Sequence, residues 1–205
     1  IVADVHFNSE VADAAAQVVE AVRINQGNYS RDASKIEERF VHLLNICREH
    51  ETAIRIGVNH GSLSERMMDK YGDTPQGMVE SVLEFLRIAV KQNFTDIVIS
   101  IKASNTRVMV ETVRLLVKTM QKEHMAFPLH LGVTEAGEGE DGRIKSAVGI
   151  GALLADGIGD TIRVSLSEAP ENEIPVAQAL VDYFADEDSV RYDGSVRAEV
   201  LDNIG

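Results

Sequence analysis

The sequence predicts an α/β fold, a (β/α)8 TIM-type barrel of which about six β/α units are present in this chain. Six short, β-branched apolar runs alternate with longer segments of helical period. Strict alternation indicates a parallel sheet, because each strand must be joined to the next by a crossover helix. With 205 residues and 44% apolar content, the chain can bury one full-sized core.

The predicted strands alternate with period two, so polar residues share one face and apolar residues share the other. In the third run, for example, Ile54 and Ile56 flank Arg55, a residue that a buried strand tolerates only opposite an anionic group. The six runs are, in chain order, IVADVHF, AVRINQ, IRIGVN, DIVISIKA, PLHLGVT and TIRVSLS.

Each predicted helix is recognised by an apolar stripe or a start signal. Residues 9–21 are alanine-rich with Ser9 as the expected N-cap, and Thr74 followed by Pro75 is typical of a helix start. The stretch EGEDG, residues 138–142, is expected to be a solvated, mobile loop. The other predicted helices cover residues 33–49, 105–122, 144–155 and 174–186.

Two parallel architectures fit this alternation, an open doubly wound sheet and a barrel. The open sheet would favour a glycine-rich phosphate turn after its first strand, and DVHFNSE contains no glycine. Gly149 and Gly151 in GIGALL follow the fifth run and are expected to let a helix pack closely on the sheet. The sequence therefore favours the barrel, although only six of its eight units are visible.

The net charge of −13 argues against nucleic acid or an anionic membrane as a partner, since both require basic surface. An anion would have to bind in a local pocket of cations. The single cysteine, Cys47, excludes an internal disulfide and a metal site built from several thiolates of this chain. We expect Cys47 to be a buried helix residue and the protein to be cytoplasmic.

Four basic residues occupy the polar faces of four predicted strands, near the ends where barrel active sites form. They are Arg23, Arg55, Lys102 and Arg163. Asp4 and Glu135 are too few to balance these cations and the nearby His6, so a multiply charged anion, with diphosphate favoured over a carboxylate, is predicted between them. The alternative is that each cation forms its own surface ion pair. Uncharged hydrogen-bonding groups are expected from Asn25, Asn59, Ser165 and Ser167, whereas His130 is interpreted as a satisfied core histidine.

Six motifs occur in the order found in the 4-hydroxy-3-methylbut-2-enyl diphosphate synthase family, the iron–sulfur enzymes of the non-mevalonate isoprenoid pathway. The motifs are VADVHF, VRINQGN, IRIGVNHGSL, SIKAS, LHLGVTEAG and KSAVGIGALLADGIGDTIRVSL. The chain resembles this family from about residue 2 to residue 184. The resemblance implies that residues 1–187 are the barrel domain without its first strands, and that residues 188–205 are a linker or the start of an additional domain. Gln26 stands where the family usually has proline, which affects only the expected rigidity of that loop.

The resemblance implies an oxidoreductase barrel that binds 2-C-methyl-D-erythritol 2,4-cyclodiphosphate. The family opens this ring and removes water with two electrons, giving 4-hydroxy-3-methylbut-2-enyl diphosphate. The resemblance also implies a set of cations that clamps the diphosphate and neutral residues that hydrogen-bond to it. Glu135 is the implied proton donor beside the carbon skeleton of the substrate. The implied substrate-binding residues are Asp4, His6, Arg23, Asn25, Arg55, Asn59, Lys102, Arg163 and Ser165.

The resemblance also implies a second domain that carries a 4Fe–4S cluster on three cysteines and a glutamate. None of these ligands is expected in this chain, which should therefore be inactive on its own. Ferredoxin or flavodoxin is the implied electron donor, and the full enzyme is expected to be a homodimer.

Three other functions remain open at this point. In a class I aldolase-like barrel, Lys102 would form a Schiff base, which requires a lowered lysine pKa. A non-catalytic module would only bind a phosphorylated ligand. A pteridine-binding transferase barrel is an analogy at the level of the fold alone.

Overall fold

One sheet of six parallel strands forms the centre of the molecule, and its strand order follows the chain from the first strand to the sixth. The computed structural model describes residues 1–6, 8–30 and 32–186. The strands are β1 (Val2–Val5), β2 (Ala21–Asn25), β3 (Ala53–Asn59), β4 (Ile97–Ala103), β5 (Leu129–Val133) and β6 (Thr161–Arg163). Each pairs in parallel with the next.

The strand order distinguishes between the two predicted architectures. In a doubly wound sheet the order reverses at a switch point, whereas here every crossover steps in the same direction along the sheet. Crossovers between parallel strands are right-handed in nearly all proteins. All crossover helices therefore cover the same face of the sheet, as in a β/α barrel. The predicted barrel class is confirmed. The predicted linker lies outside the described residues, and the predicted domain boundaries stay predictions.

Five of the predicted helices match closely, and the described part of the chain contains seven α-helices besides two short 3₁₀ helices. The α-helices are α1 (Ser9–Ala16), α2 (Ile36–His50), α3 (Glu65–Tyr71), α4 (Pro75–Lys91), α5 (Thr106–Lys122), α6 (Gly139–Ala155) and α7 (Glu173–Asp186). The seven-residue α3 was not predicted. Among the described residues, no helix combines the length and hydropathy needed to cross a bilayer.

Two predicted helix starts are wrong. Asn8, not Ser9, caps α1: its side chain accepts a hydrogen bond from the Glu10 N–H at 2.9 Å, and Ser9 is the first helical residue. In place of the loop predicted at 138–142, α6 begins at Gly139. Acidic residues in its first turn interact favourably with the positive end of the helix dipole. The Glu168 carboxylate also accepts a hydrogen bond from the Gly139 N–H at 2.8 Å.

The apolar face of the central strands is buried beneath the helices. Ile54, Ile56 and Val58 have no exposed surface, and Leu83 and Leu86 of α4 pack in the same core cluster. Cys47 is 1% exposed within α2, as predicted. The helices therefore occupy one face, and the other face carries the polar side chains.

The two predicted close-packing glycines of α6 serve different contacts. A Cβ on Gly149 would lie 2.7 Å from Val133 Cγ2 on the sheet, whereas one on Gly151 would lie 3.4 Å from the Phe184 ring on α7. The expected close approach to the sheet is therefore found at Gly149, while Gly151 faces the neighbouring helix.

We expect Gly149→Ala and Gly151→Ala to change stability in opposite directions. Overpacking at Gly149 costs about 1–3 kcal/mol. At Gly151 the added methyl group makes an ordinary contact and gains up to about 1 kcal/mol of helix propensity. Thermal unfolding of the two variants tests this, and equal shifts in midpoint would contradict it.

Candidate functional site

The strand register aligns the polar side chains in three rows that cross the uncovered face of the sheet. The outer rows contain the predicted cations, and the middle row is uncharged. The first row is Asp4, Arg23 and Arg55; the second is Asn25, Gly57, Ser100, His130 and Thr161; the third is Asn59, Lys102, Gly132 and Arg163.

Arg23 is held in place by an acidic neighbour on the adjacent strand. Its Nη1 donates to both carboxylate oxygens of Asp4, at 2.7 and 2.9 Å. His6 Nε2 lies 3.1 Å from the same carboxylate and 3.3 Å from Arg23 Nη1. Asp4 and His6, which both belong to the motif VADVHF, therefore orient this guanidinium group.

The other three cations differ from Arg23 in this respect. Within the described ranges, no carboxylate forms an ion pair with Arg55, Lys102 or Arg163. Burial and the nearby Arg23 lower the pKa of Arg55. Burial, followed by repulsion from the three arginines, lowers the pKa of Lys102 to about 8. The alternative of separate ion pairs thus holds only for Arg23.

Two glycines make room for the long basic side chains. A Cβ on Gly57 would lie 2.7 Å from Arg23 Nε and 2.8 Å from its Nη2, and one on Gly132 would lie 3.2 Å from Lys102 Cε. Each side chain therefore lies across the glycine of the next strand. Sequence reasoning did not find these positions, although both glycines have the parity of the polar face.

The predicted neutral hydrogen-bonding residues differ in their surroundings. Asn25 is 3% exposed, and its Oδ1 accepts the Gly27 N–H at 3.0 Å. The Asn59 Oδ1 is buried and has no hydrogen-bond partner among the described residues. Ser165 is half-buried and lies two residues after β6, which ends earlier than predicted. Asn59 thus offers an acceptor at the cation cluster, while Asn25 braces a loop.

Glu135 lies two residues after β5, just beyond the strand end, as predicted. Its φ of 54° is in the left-handed region, and its side chain is exposed. This backbone conformation costs a non-glycine residue about 1–2 kcal/mol. The turn places the Glu135 carboxyl group at the carboxyl end of the sheet. The glutamate does not itself stabilise the turn.

His130 is a further polar-face residue, and its predicted role as a satisfied core histidine is only half right. It is 6% exposed, and its Nδ1 lies 2.8 Å from Thr161 Oγ1. Its Nε2 is buried with no partner among the described residues. Burial and the four cations lower the pKa of the imidazole to about 4. No pattern within β5 marks this role, because it depends on the register of His130 with Ser100 and Thr161.

The pKa of Lys102 predicts a pH dependence for anion binding. Lys102 loses its proton as pH rises through about 8, so affinity for sulfate should fall above that pH, by at most about tenfold per unit. Sulfate keeps its charge throughout this range, and calorimetric titration measures the affinity. Lys102→Arg should make the affinity independent of pH up to pH 10, and a decline in that variant would assign the effect to another group.

The residues of this chain do not fit a 4Fe–4S cluster. Cys47, its single cysteine, is buried in α2, where desolvation and Asp13 raise the thiol pKa to about 12. In the described segments, no group of three or more His, Cys, Asp or Glu residues could hold a metal ion. A thiolate cluster would need its ligands from another segment or chain.

Comparison with known proteins gives a family match over most of the chain. The model of a family described as the GcpE TIM-barrel domain matches residues 1–178. Relatives named 4-hydroxy-3-methylbut-2-en-1-yl diphosphate synthase (flavodoxin) from Phocaeicola vulgatus and Parabacteroides distasonis are 70% and 64% identical, over 89% and 93% of this chain. They are matched over 33% and 34% of their own length, so the chain spans about a third of the curated relatives it matches.

A solved structure shares the fold at low sequence identity. It is a 2,3-dimethylmalate lyase of the PEP mutase/isocitrate lyase superfamily, with a TM-score of 0.54 and 13% identity, covering 88% of this chain and 62% of that chain. At this identity the likeness concerns the fold alone.

Proposed function

This chain belongs to the GcpE TIM-barrel domain family, and we propose that it forms the substrate-binding barrel of an isoprenoid-pathway oxidoreductase. The enzyme would reductively open 2-C-methyl-D-erythritol 2,4-cyclodiphosphate to 4-hydroxy-3-methylbut-2-enyl diphosphate. The support is the family membership together with the names of relatives that are 70% and 64% identical.

The observation that carries the proposal is the convergence of four cations on one face with a single paired carboxylate. Such a cluster repels itself unless an anion with several charged oxygens lies between its members. Arginine forks match phosphate oxygens in pairs, and a diphosphate offers enough oxygens for all four groups. The substrate contacts we propose are Asp4, His6, Arg23, Asn25, Arg55, Asn59, Lys102, Arg163 and Ser165, with Glu135 as proton donor.

The reaction requires two electrons, which this chain cannot carry on its own residues. The name of the relatives includes flavodoxin, and we propose a flavodoxin as the electron donor. The 4Fe–4S cluster would be held outside this chain. Ferredoxin as an alternative donor, the homodimer and the cytoplasmic location stay predictions.

The proposal is tested with the full-length protein that contains this chain. Under anaerobic conditions, with reduced flavodoxin and a reconstituted cluster, it should convert the cyclodiphosphate to the open allylic diphosphate, as followed by phosphorus NMR. We expect the 205-residue chain alone to give no turnover. Turnover by the chain alone, or none by the full-length protein with its cluster intact, would contradict the proposal.

One observation also favours the aldolase-like alternative. Lys102 is half-buried with a pKa of about 8, so a neutral amine is available for a Schiff base at mildly alkaline pH. Borohydride reduction in the presence of a phosphorylated aldehyde or ketone would trap such an adduct on Lys102. The diphosphate-binding proposal predicts that no adduct forms.

A further inference from the structure

The middle row of the polar face contains uncharged hydrogen-bonding side chains between two rows of cations. Ser100 and His130 are partners in the register of β4 and β5, and His130 and Thr161 are partners in that of β5 and β6. Ser100 is 1% exposed and His130 is 6% exposed. Ser100 and His130 therefore form a buried, neutral floor under the cation cluster.

The protonation of His130 follows from these surroundings. The Nδ1 atom is within hydrogen-bond distance of Thr161 Oγ1, at 2.8 Å. Positive charge around the ring favours the tautomer that donates from Nδ1 to Thr161 and keeps the lone pair on Nε2. His130 is thus a neutral acceptor, and protonation would add a fifth positive group to the cluster.

The acceptor on Nε2 has no donor within the described part of the chain. A buried polar atom without a partner costs about 1–3 kcal/mol, so a donor from a bound molecule would be favourable there. Phosphate oxygens accept hydrogen bonds, so they bind to the cations. They cannot donate a hydrogen bond to the neutral imidazole. A hydroxyl group of the same ligand is the matching donor.

We propose that His130 is a substrate-contacting residue whose Nε2 accepts a hydrogen bond from a free hydroxyl of the ligand, while the cation cluster binds its diphosphate. The inference rests on the proposed function for the identity of the ligand. The cyclodiphosphate carries free hydroxyl groups besides its phosphates, whereas inorganic pyrophosphate has no carbon skeleton. His130 therefore selects for the organic part of the substrate.

Two amide substitutions separate ligand contact from a structural role. The side chain of Gln places a polar atom near the position of Nε2, and that of Asn places one near Nδ1. We expect His130→Gln to keep cyclodiphosphate affinity within about threefold, and His130→Asn to lower it about tenfold or more, which is about 1.4 kcal/mol. Calorimetric titration of the full-length protein should show inorganic pyrophosphate bound equally by both variants.

The outcomes distinguish this inference from the proposed function. Wild-type affinity for the cyclodiphosphate in both variants, or a parallel loss of pyrophosphate affinity, would overturn the inference alone. Wild-type protein that binds pyrophosphate but not the cyclodiphosphate would refute the proposed function and the inference with it. If either variant unfolds, Thr161→Val is the second test: it releases the ring without removing it and should lower cyclodiphosphate affinity selectively.

Discussion

Replacing Arg55 by methionine is expected to weaken binding of inorganic pyrophosphate by about 100-fold, or about 2.7 kcal/mol, which is the size of a charge-assisted contact to a buried anion. Arg55 forms no ion pair with a carboxylate among the described residues, so its charge is available to a bound anion. Methionine fills a similar volume without a charge. Calorimetric titration of the full-length variant measures the change.

The same substitution should raise the stability of the ligand-free protein. Burial and repulsion from Arg23 lower the pKa of Arg55, so the folded state disfavours the charged form of this side chain. Removing the charge removes that penalty, as when other buried charges are replaced by apolar groups. We therefore expect a higher unfolding midpoint for Arg55→Met without ligand, and a smaller upward shift than wild type when pyrophosphate is added.

Arg107→Met is the matched control, because it removes the same group from an exposed helix position where Arg107 pairs with Glu111. Such surface pairs contribute little, so neither affinity nor stability should change measurably. If Arg55→Met lowered stability and left pyrophosphate affinity unchanged, Arg55 would be a structural residue and the cation cluster would not be an anion site.

The family and the β/α barrel class could be predicted from the sequence, and the match over residues 1–178 confirms the family. Period-two alternation predicted that the four cations share one face of the sheet, and the strand register agrees, because polar-face parity is a local property of each strand. Asp4 and Arg23 occur in separate runs and were predicted to lie near each other. In the structure, Arg23 Nη1 donates a hydrogen bond to Asp4 Oδ1 at 2.7 Å.

What could not be predicted depends on contacts between strands. The role of His130 follows from its register with Ser100 and Thr161, which no single strand reveals. The space above Gly57 and Gly132 is filled by side chains from neighbouring strands. The early start of α6 depends on Glu168, which lies 29 residues away in sequence from Gly139. Local patterns therefore predict the elements and faces, whereas tertiary partners decide how the site is filled.

Substituting Glu135 by glutamine is expected to lower the turnover number of the complete enzyme by about 10²–10⁴-fold, the usual contribution of a general acid. Glutamine preserves the size of the side chain and cannot donate the same proton. Glu135 lies in a left-handed turn next to the end of β5, and in the described residues its carboxyl group forms no ion pair. Cyclodiphosphate affinity should stay within about threefold of wild type, because the cation cluster supplies most of the binding energy.

The control is Glu138→Gln, three residues further along, where the side chain is exposed and makes no capping hydrogen bond to α6. Turnover of this variant should match the wild type. A barrel that only binds a phosphorylated ligand would lose no turnover on either substitution, and that result would remove Glu135 from the chemistry. Loss of turnover together with loss of cyclodiphosphate affinity would instead make Glu135 a binding residue. Only a large fall in turnover at constant affinity supports a proton donor, because an interaction made solely in the transition state changes the rate and not the binding.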